Sequence, residues 1–444
     1  MTRASQQPLP AAPESLSALL ESNAYLSYAY SYPHKTAYRA LLPLDLKTLW
    51  AHEDRAALFL YLHVPFCEQR CGFCNLFTQV QPRGGLEERY VAAVERQAAI
   101  VGERLAPARF AQLAVGGGTP TFLAAPLLDR LLAVARQLGA RNVPTSVEIS
   151  PATFDDEKLA VLAAHGTTRV SMGVQSFFTA ETAAVQRRQD LGDVERALER
   201  LHDVIPTRNV DLIYGLPGQT AATLCASIDR ALALGANELY LYPLYVRPLT
   251  VLGRKEAWRD ERLQLYRAGR DHLRGRSWQQ RSMRLFVAPG TPIVTRTRYR
   301  CQDDGMVGLG AGARSYTRSV HYASPFAVSQ AGVRSRIGDW MAQSDDDFAV
   351  ARHGFILDGD EQRRRYVLLS LLDCGLGRAD YRARFGGDVL ADLPALQDLL
   401  ALRLATADAD SVRLTDAGVE RADVLGHWLQ SPAVRQARAE WAAE

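Results

Sequence analysis

Residues 61–77 read YLHVPFCEQRCGFCNLF, and this stretch indicates the chemistry of the chain more directly than any other. Cys67, Cys71 and Cys74 form a Cys-x3-Cys-x2-Cys triad. Three thiolates at this spacing can bind three irons of a cubane [4Fe–4S] cluster, whereas electron-transfer ferredoxins supply a cysteine to every iron. The fourth iron is then open to chelate and reduce a small molecule. The triad therefore predicts a reactive iron–sulfur centre.

Two other interpretations of the triad stay open on the cysteines alone. The first is a zinc knuckle completed by a distant residue, since a structural zinc ion needs four ligands and no fourth cysteine follows closely. His63 is near in sequence, but it lies on the predicted strand that leads into the loop. The second is a set of three unrelated core thiols, because short cysteine motifs also arise by chance.

Composition excludes several classes of protein. The chain has 444 residues, 47% hydrophobic and 23% charged, which is typical of a soluble globular protein. A net charge of +3 gives no reason to expect a nucleic-acid partner. We find neither a secretory signal pattern nor an uninterrupted apolar stretch long enough for a membrane span. The other cysteines, Cys225, Cys301 and Cys374, are scattered and suggest no disulfide framework, so we expect a reducing, cytoplasmic location.

From residue 57 the chain alternates short β-branched or aromatic runs with longer helical patterns, which is typical of parallel strands joined by crossover helices. The predicted strands are Leu58–His63, Gln112–Val115, Ser146–Ile149, Arg169–Gly173, Asn209–Tyr214 and Glu238–Tyr242. A helical pattern follows each of them, beginning near Leu86, Pro126, Asp155, Leu191, Ala221 and Arg259. The pattern predicts an α/β fold, an open partial (β/α)6 barrel.

The regular alternation stops near Ser315, and we divide the chain there. Residues 1–54 are predicted to form an N-terminal arm or lid whose start is disordered, and residues 55–315 the barrel core. Residues 316–444 are predicted to form a small, mainly helical domain of winged-helix type, with one short strand at Ser411–Leu414 and a helix from Asp416 to Leu429.

Further motifs follow the triad in a fixed order, each at the C-terminal end of a predicted strand, where α/β enzymes assemble their sites. They are GGGTPTFL from Gly116, VEISP from Val147, SMGVQSF from Ser171, DLIYGLPGQT from Asp211 and GLGAGARS from Gly308. Together with the triad, these motifs resemble the radical S-adenosylmethionine (SAM) superfamily, in the branch of oxygen-independent coproporphyrinogen III oxidase and its relatives. The resemblance extends from about Tyr61 to Ser315.

The resemblance implies a [4Fe–4S] cluster on the three cysteines and one molecule of SAM, or two as in the oxidase. It places Tyr61 in the catalytic set with the cysteines, and it gives Glu148 the SAM ribose. The other residues that it assigns to the cofactor pocket are Tyr61, Phe73, Gly117, Gly118, Thr119, Gln175, Arg187, Asp211, Pro243 and Arg314. The assignment of Arg187 rests on spacing, so Arg188 is a rival.

Two positions depart from the pattern of the family. Arg314 stands where the relatives often carry a small apolar residue or a histidine. Leu76 stands two residues after the third cysteine, where the oxidase has an additional cysteine that is not a cluster ligand. The first departure places the role of residue 314 in doubt, and the second weakens identity with the oxidase.

Three functions compete within this branch. The favoured one is an oxidase-like enzyme that acts on a porphyrinogen-like or other large anionic substrate and draws electrons from a donor such as flavodoxin or ferredoxin. A radical methyl or alkyl transferase is the second. A haem chaperone is the third, although the region from His321 reads HYASPF and lacks the Asn-x-x-Tyr-Trp stretch of those chaperones.

The leader AYLSYAYSYPHKTAYR, from Ala24 to Arg39, is aromatic and basic. Its Tyr30-Ser31-Tyr32-Pro33 stretch is similar to an element in the N-terminal arm of the oxidase. The tyrosines are too dense for a disordered linker and follow no helical or alternating stripe. We interpret the leader as a lid over the barrel mouth, with an arm packed on the outside of the barrel as the alternative.

Overall fold

The computed structural model describes residues 15–22, 25, 28–246, 250, 252, 260–291, 304–373 and 375–441. The first fourteen residues, for which disorder is predicted, therefore lie outside the described residues. Within that described part, thirteen strands form one sheet, and helices cover its convex face. No helix there is both long and apolar enough to cross a lipid bilayer.

In chain order, the strands are β1 (Arg39–Asp45), β2 (Leu58–Val64), β3 (Phe66–Cys67), β4 (Gln79–Val80), β5 (Phe110–Gly117), β6 (Thr145–Ile149), β7 (Arg169–Gln175), β8 (Thr207–Tyr214), β9 (Glu238–Pro243), β10 (Gln279–Gln280), β11 (Leu285–Val287), β12 (Met306–Leu309), β13 (Arg314–Tyr316), β14 (Val320–Ala323), β15 (Val350–Ile356), β16 (Leu376–Gly377), β17 (Ala405–Ala407) and β18 (Ser411–Leu414). Strands β5 and β8 are the longest of these, with 8 residues each.

The helices that precede or connect the strands of the large sheet are α1 (Leu16–Ser22), α2 (Leu46–Trp50), α3 (Leu86–Leu105), α4 (Ala125–Gln137), α5 (Asp156–Ala164), α6 (Thr179–Ala184), α7 (Leu191–Leu201), α8 (Ala221–Ala233), α9 (Arg262–Arg274), α10 (Gln330–Met341) and α11 (Asp345–Phe348). The C-terminal helices are α12 (Gly359–Asp373), α13 (Arg378–Phe385), α14 (Val389–Asp392), α15 (Ala395–Ala401), α16 (Asp416–Val419), α17 (Ala422–Trp428) and α18 (Pro432–Ala439).

Strands β2, β5, β6, β7, β8 and β9 lie side by side in chain order and are all parallel. The register places Glu148 opposite Ser171, and Asp211 opposite Tyr240. A helix follows each of the first five strands and packs back on the sheet, as parallel crossovers require. The predicted partial (β/α)6 barrel and its mainly helical C-terminal region are therefore confirmed.

Alternating side chains give the sheet two different faces. On β2, Leu58, Leu60 and Leu62 are fully buried beneath the helices, whereas Phe59 and Tyr61 are only partly buried. The corresponding concave positions of the neighbouring strands are largely polar, so the sheet encloses a polar space, which we call the lumen.

The sheet does not end at residue 315, where the sequence pattern changes. Strand β12 lies parallel to β2, and β13, β14 and β15 extend the same sheet by antiparallel pairing. β1, from the predicted arm, pairs with β15 and forms the edge. Local periodicity does not reveal these pairings, because β1 and β15 are brought together from opposite ends of the chain.

The C-terminal region has its own apolar core around a three-stranded sheet in the order β16-β18-β17. The arm contributes to that core through Leu16, Leu19 and Tyr32. The helix predicted from Asp416 to Leu429 is divided into α16 and α17. Glu420 and Arg421 separate these two helices. Glu420 accepts a hydrogen bond from Arg267 Nε of α9 at 2.8 Å, which links the C-terminal region to the barrel.

Candidate functional site

The cysteine loop begins at the end of β3 and is anchored to the segment that follows α6. The backbone N–H of Gly72 donates to the carbonyl oxygen of Val185 at 2.8 Å. A Cβ at Gly72 would lie 2.9 Å from that oxygen, so only glycine allows this approach. The Gln69 amide exchanges hydrogen bonds with the backbone of Arg188, at 2.7 and 3.0 Å. These contacts fix the path of the loop between the first and third cysteines.

The three thiols of the loop are free and only partly buried. Burial raises the pKa of Cys67 to about 12, and the neighbouring thiols Cys74 and Cys71 add to the shift. The thiols are therefore close enough to interact. In the part of the chain that the structure describes, however, no three His, Cys, Asp or Glu side chains converge on one metal ion.

The run Gly116–Gly118 fits between the cysteine loop and two side chains of the lumen. A Cβ at Gly118 would lie 3.0 Å from Cys67 Sγ, and one at Gly117, where φ is +120°, would lie 2.5 Å from the His63 ring. A Cβ at Gly116 would lie 2.8 Å from the carboxyl group of Glu148. A side chain at any of these glycines would therefore collide with a neighbour.

The amides of the glycine run already have partners inside the protein. Gly118 donates to Val64 and Thr119 donates to Phe66, both at 2.7 Å. Gly117 donates to Glu148 Oε2 at 3.0 Å. The Thr119 hydroxyl lies 3.5 Å from Cys67 Sγ. Any ligand contact from this run is therefore left to its carbonyl groups and to the Thr119 hydroxyl.

Two carboxylates face the lumen from neighbouring parts of the sheet. The surrounding protein buries the Glu148 carboxyl group and raises its pKa to about 7, and the nearby charge of Asp211 adds to the shift. The side chain still borders the open space of the lumen. Burial also raises the pKa of Asp211 to about 6, against hydrogen bonds from Asn209 Nδ2 at 2.7 Å and Ser171 Oγ at 3.2 Å. Both groups can accept hydrogen bonds from hydroxyl or ammonium groups of a ligand.

A salt bridge forms the floor beneath these carboxylates. Arg169 Nε donates to Glu238 Oε1 at 2.8 Å, and Arg169 Nη1 donates to Ser146 Oγ at 2.9 Å. The Arg169 guanidinium is therefore bound to Glu238 and Ser146. Neither Glu148 nor Asp211 forms a salt bridge with an arginine among the described residues.

Arg187, rather than its rival Arg188, lies beside the cysteines. Arg187 Nη1 donates to Cys71 Sγ at 3.4 Å, and another of its nitrogens donates to the carbonyl of Gly173. Arg188 is exposed. Gln175 is the last residue of β7 and lies at a bulge, with φ of +72°. This conformation is unfavourable for any residue other than glycine, and it occurs often at functional sites.

The remaining predicted residues surround this centre. The Tyr61 hydroxyl lies 3.2 Å from His63 Nδ1, and its electrostatic neighbours include Glu148 and Arg314. Phe73 packs in a small apolar cluster that includes Val185. Pro243 is buried at the end of β9, further along the rim.

The arm crosses the opening of the barrel. The Tyr28 ring lies 5.8 Å from the ring of Tyr242 on β9, and the Arg284 guanidinium lies 4.0 Å above the Tyr28 ring. Two residues on, the Tyr30 ring lies 5.0 Å from the Arg314 guanidinium on β13. The arm therefore touches both sides of the open sheet.

Several residues of the site are not among those that the sequence motifs predict. They are Ser146, Arg169, Ser171, Asn209, Glu238 and Tyr240. Some of them lie two residues before a predicted site residue on the same strand, as Asn209 does before Asp211. The period of two in a strand could therefore have identified them.

Comparison with known proteins supports the resemblance. The profile of the Radical SAM superfamily matches residues 61–231. An oxygen-independent coproporphyrinogen III oxidase of Cereibacter sphaeroides is 29% identical over 413 residues, which cover 88% of this chain and 89% of that protein. A haem chaperone of Synechocystis is 31% identical over 299 residues, covering 64% of this chain and 71% of the relative.

The fold also matches a solved structure. Coproporphyrinogen III oxidase from Escherichia coli, described as a radical SAM enzyme, superimposes with a TM-score of 0.75. The match covers 95% of this chain and 99% of that one at 23% sequence identity, so it bears on the fold. The shared fold and the relatives over most of the chain lead to one conclusion: the chain belongs to the radical SAM superfamily, in the branch of oxygen-independent coproporphyrinogen III oxidase and its relatives.

Proposed function

We propose that this protein is an enzyme that holds a [4Fe–4S] cluster on Cys67, Cys71 and Cys74 and cleaves SAM reductively to start radical chemistry on a large anionic substrate. Membership of the superfamily implies the cluster and SAM. The observation that carries the proposal is the close approach of Gly118 to the cysteine loop, because it places Cys67 next to the glycine run that borders the polar lumen.

Several residues are suited to hold SAM. When bound, the cluster and SAM together supply a radical that removes hydrogen from an unreactive carbon, and the protein orients the reactants. Glu148 can accept hydrogen bonds from the ribose hydroxyls. Arg187 can pair with the SAM carboxylate through its planar guanidinium, since it lies beside Cys71. Asp211 faces the same lumen and can accept from a ligand donor.

The relatives and the arm support a porphyrinogen-like substrate. The matching relatives named coproporphyrinogen III oxidases suggest a porphyrinogen-like compound. The tyrosines of the arm provide aromatic surface next to the lumen, and closure by such a segment would exclude water and oxygen. The electron would come from a donor such as flavodoxin or ferredoxin.

An assay with a defined compound tests this function. Reconstituted protein is incubated without oxygen with SAM, a reductant and coproporphyrinogen III, and the products are measured by mass spectrometry. Loss of carboxyl groups supports the oxidase, whereas a gain of methyl groups indicates a transferase. Tight haem binding without any SAM cleavage would contradict the proposal and favour a chaperone, a function that one of the relatives is named for.

The raised pKa of Glu148 predicts a pH-dependent affinity for SAM. The ionised carboxylate accepts hydrogen bonds from the ribose, and with a pKa of about 7 it is protonated as the pH falls below neutrality. The affinity of the reconstituted protein for SAM should therefore drop about tenfold between pH 8 and pH 6, as linkage requires for one proton. Isothermal titration at both values measures the change.

Matched variants assign the pH effect to one residue. Glu148→Gln should bind SAM weakly at both pH values, with a flatter profile. Glu157→Gln, at an exposed position on α5, should keep the profile of the unmodified protein. A profile in Glu148→Gln as steep as that of the unmodified protein would show that another group controls binding.

A further inference from the structure

We propose that Arg314 anchors a carboxylate of the substrate at the mouth of the barrel, next to the Tyr30 hydroxyl of the arm. The inference rests on the proposed function and deepens it, because it names the residue that binds a carboxylate of the anionic substrate. Arg314 is the first residue of β13.

The contacts of Arg314 leave most of its donors unused. Its Nη1 donates to the Tyr30 hydroxyl at 3.2 Å and to Ser31 Oγ at 3.4 Å, and both contacts are long. Nε and Nη2 donate to no acceptor among the described residues. Neither of these nitrogens is fully buried. Arginine has five N–H donors in a planar fork. The unused side of the fork is therefore reachable by a ligand.

The charge of Arg314 has no opposite charge beside it in the described structure. Its strongest electrostatic contacts are with four tyrosines, Tyr30, Tyr316, Tyr38 and Tyr61. The rings of Tyr30 and Tyr316 lie 5.0 and 5.9 Å from the guanidinium, which gives a cation–π contact but no counter-charge.

Three other arginines that are packed into the protein near the barrel are paired with a carboxylate. Arg262 donates to Asp260 at 2.6 Å, Arg169 to Glu238, and Arg284 to Asp423. An uncompensated charge surrounded by protein is costly, and proteins normally supply a partner. A bound carboxylate would complete Arg314 in the way that Asp260 completes Arg262, with two parallel hydrogen bonds to the fork.

The position of Arg314 separates it from the residues suited to SAM. Arg187 lies beside Cys71 and can take the SAM carboxylate, whereas Arg314 is two strands from β2, on the opposite side of Tyr61 from Glu148. Tyr61 interacts electrostatically with both Glu148 and Arg314, so it stands between the two. A molecule bound at Arg314 would lie across Tyr61 from the ribose site.

Binding to the reconstituted protein is measured with coproporphyrin III, a stable tetracarboxylate, and separately with SAM. Arg314→Met should weaken coproporphyrin III binding at least about tenfold, since a charge-assisted pair is lost, and should change SAM binding less than about twofold. Arg314→Lys should recover only part of the loss, because lysine keeps the charge without the fork. Arg318→Met, on the same hairpin but exposed, should change neither.

A stability measurement tests the inference without any substrate. Arg314→Met removes an uncompensated charge, so the ligand-free variant should unfold at the same or a higher temperature than the unmodified protein. A marked fall would show that Arg314 supports the fold, which overturns the inference. Loss of SAM binding in Arg314→Met would assign the arginine to SAM and overturn it as well.

The outcomes separate this inference from the proposed function. A protein that cleaves SAM and binds coproporphyrin III equally well with Arg314 or Met refutes the anchoring role and leaves the enzyme function intact. A protein that shows no SAM cleavage, but still needs Arg314 to bind the tetracarboxylate, refutes the enzyme function and keeps the anchor.

Discussion

Replacing any one of Cys67, Cys71 or Cys74 by alanine should abolish SAM cleavage and lower the iron content of the reconstituted protein. The reason is that each thiolate holds a different iron in the proposed cluster, so the loss of one would open a second iron and destabilise the cluster. Iron analysis, the paramagnetic spectrum of the reduced protein with and without SAM, and chromatography of the SAM products measure the effect.

Cys225 provides the matched control, because it is a free, partly buried cysteine on α8, away from the loop. Cys225→Ala should retain full iron content and SAM cleavage. Cys301 and Cys374, which we also expect to be dispensable, lie outside the described residues. Tightly bound zinc in place of iron, or a reduced cluster whose spectrum SAM leaves unchanged, would contradict the assignment.

The largest effect on stability should follow from Asp423→Asn. Asp423 is fully buried, and Arg284 Nη2 donates to its two oxygens at 2.6 and 2.8 Å. The pair joins the edge of the barrel to α17, and Tyr245 also donates to Asp423. Removal of one charge leaves Arg284 buried without compensation, which should lower the free energy of unfolding by about 3–5 kcal/mol. Denaturant unfolding measures this difference.

An exposed pair across the same two regions serves as the control. Arg274 Nη1 lies 2.8 Å from Asp416 Oδ2, with 36% and 63% of the two side chains exposed. Because water screens this pair, Asp416→Asn should cost no more than about 1 kcal/mol. The double variant Arg284→Met/Asp423→Leu should regain much of the stability lost in Asp423→Asn, since no charge is then left unpaired. Equal losses in Asp423→Asn and Asp416→Asn would show that burial does not decide the strength of these pairs.

The sequence predicted the parallel strands of the barrel well, because each is a short apolar run followed by a helical pattern. The strand Leu58–His63 was predicted to within one residue of β2, and Ser411–Leu414 coincides with β18. The same order of motifs indicated the cluster loop and the rim. The antiparallel extension by β13–β15 and β1 was missed, because these strands are short and their partners are distant in the chain.

In the pocket too, the sequence identified some residues and missed others. Tyr61, Glu148 and Asp211 were selected by motif, and the parallel register brings them to one lumen because the C-terminal ends of parallel strands meet at one rim. The period of two could have placed their partners Arg169, Ser171 and Asn209 on the same face, but the side chains that each of them binds were decided only by the tertiary structure.

By itself, the sequence determined the family, the parallel core and the three cysteines, because these depend on local spacing along the chain. Only the tertiary structure decided that Tyr28 and Tyr30 cross the barrel opening, that Asp423 compensates Arg284, and that Arg314 meets tyrosines and Ser31 but no carboxylate among the described residues. Such facts depend on which charges meet after folding. The cost of a buried charge is set by neighbours that are often far away in the chain, so no local pattern records it.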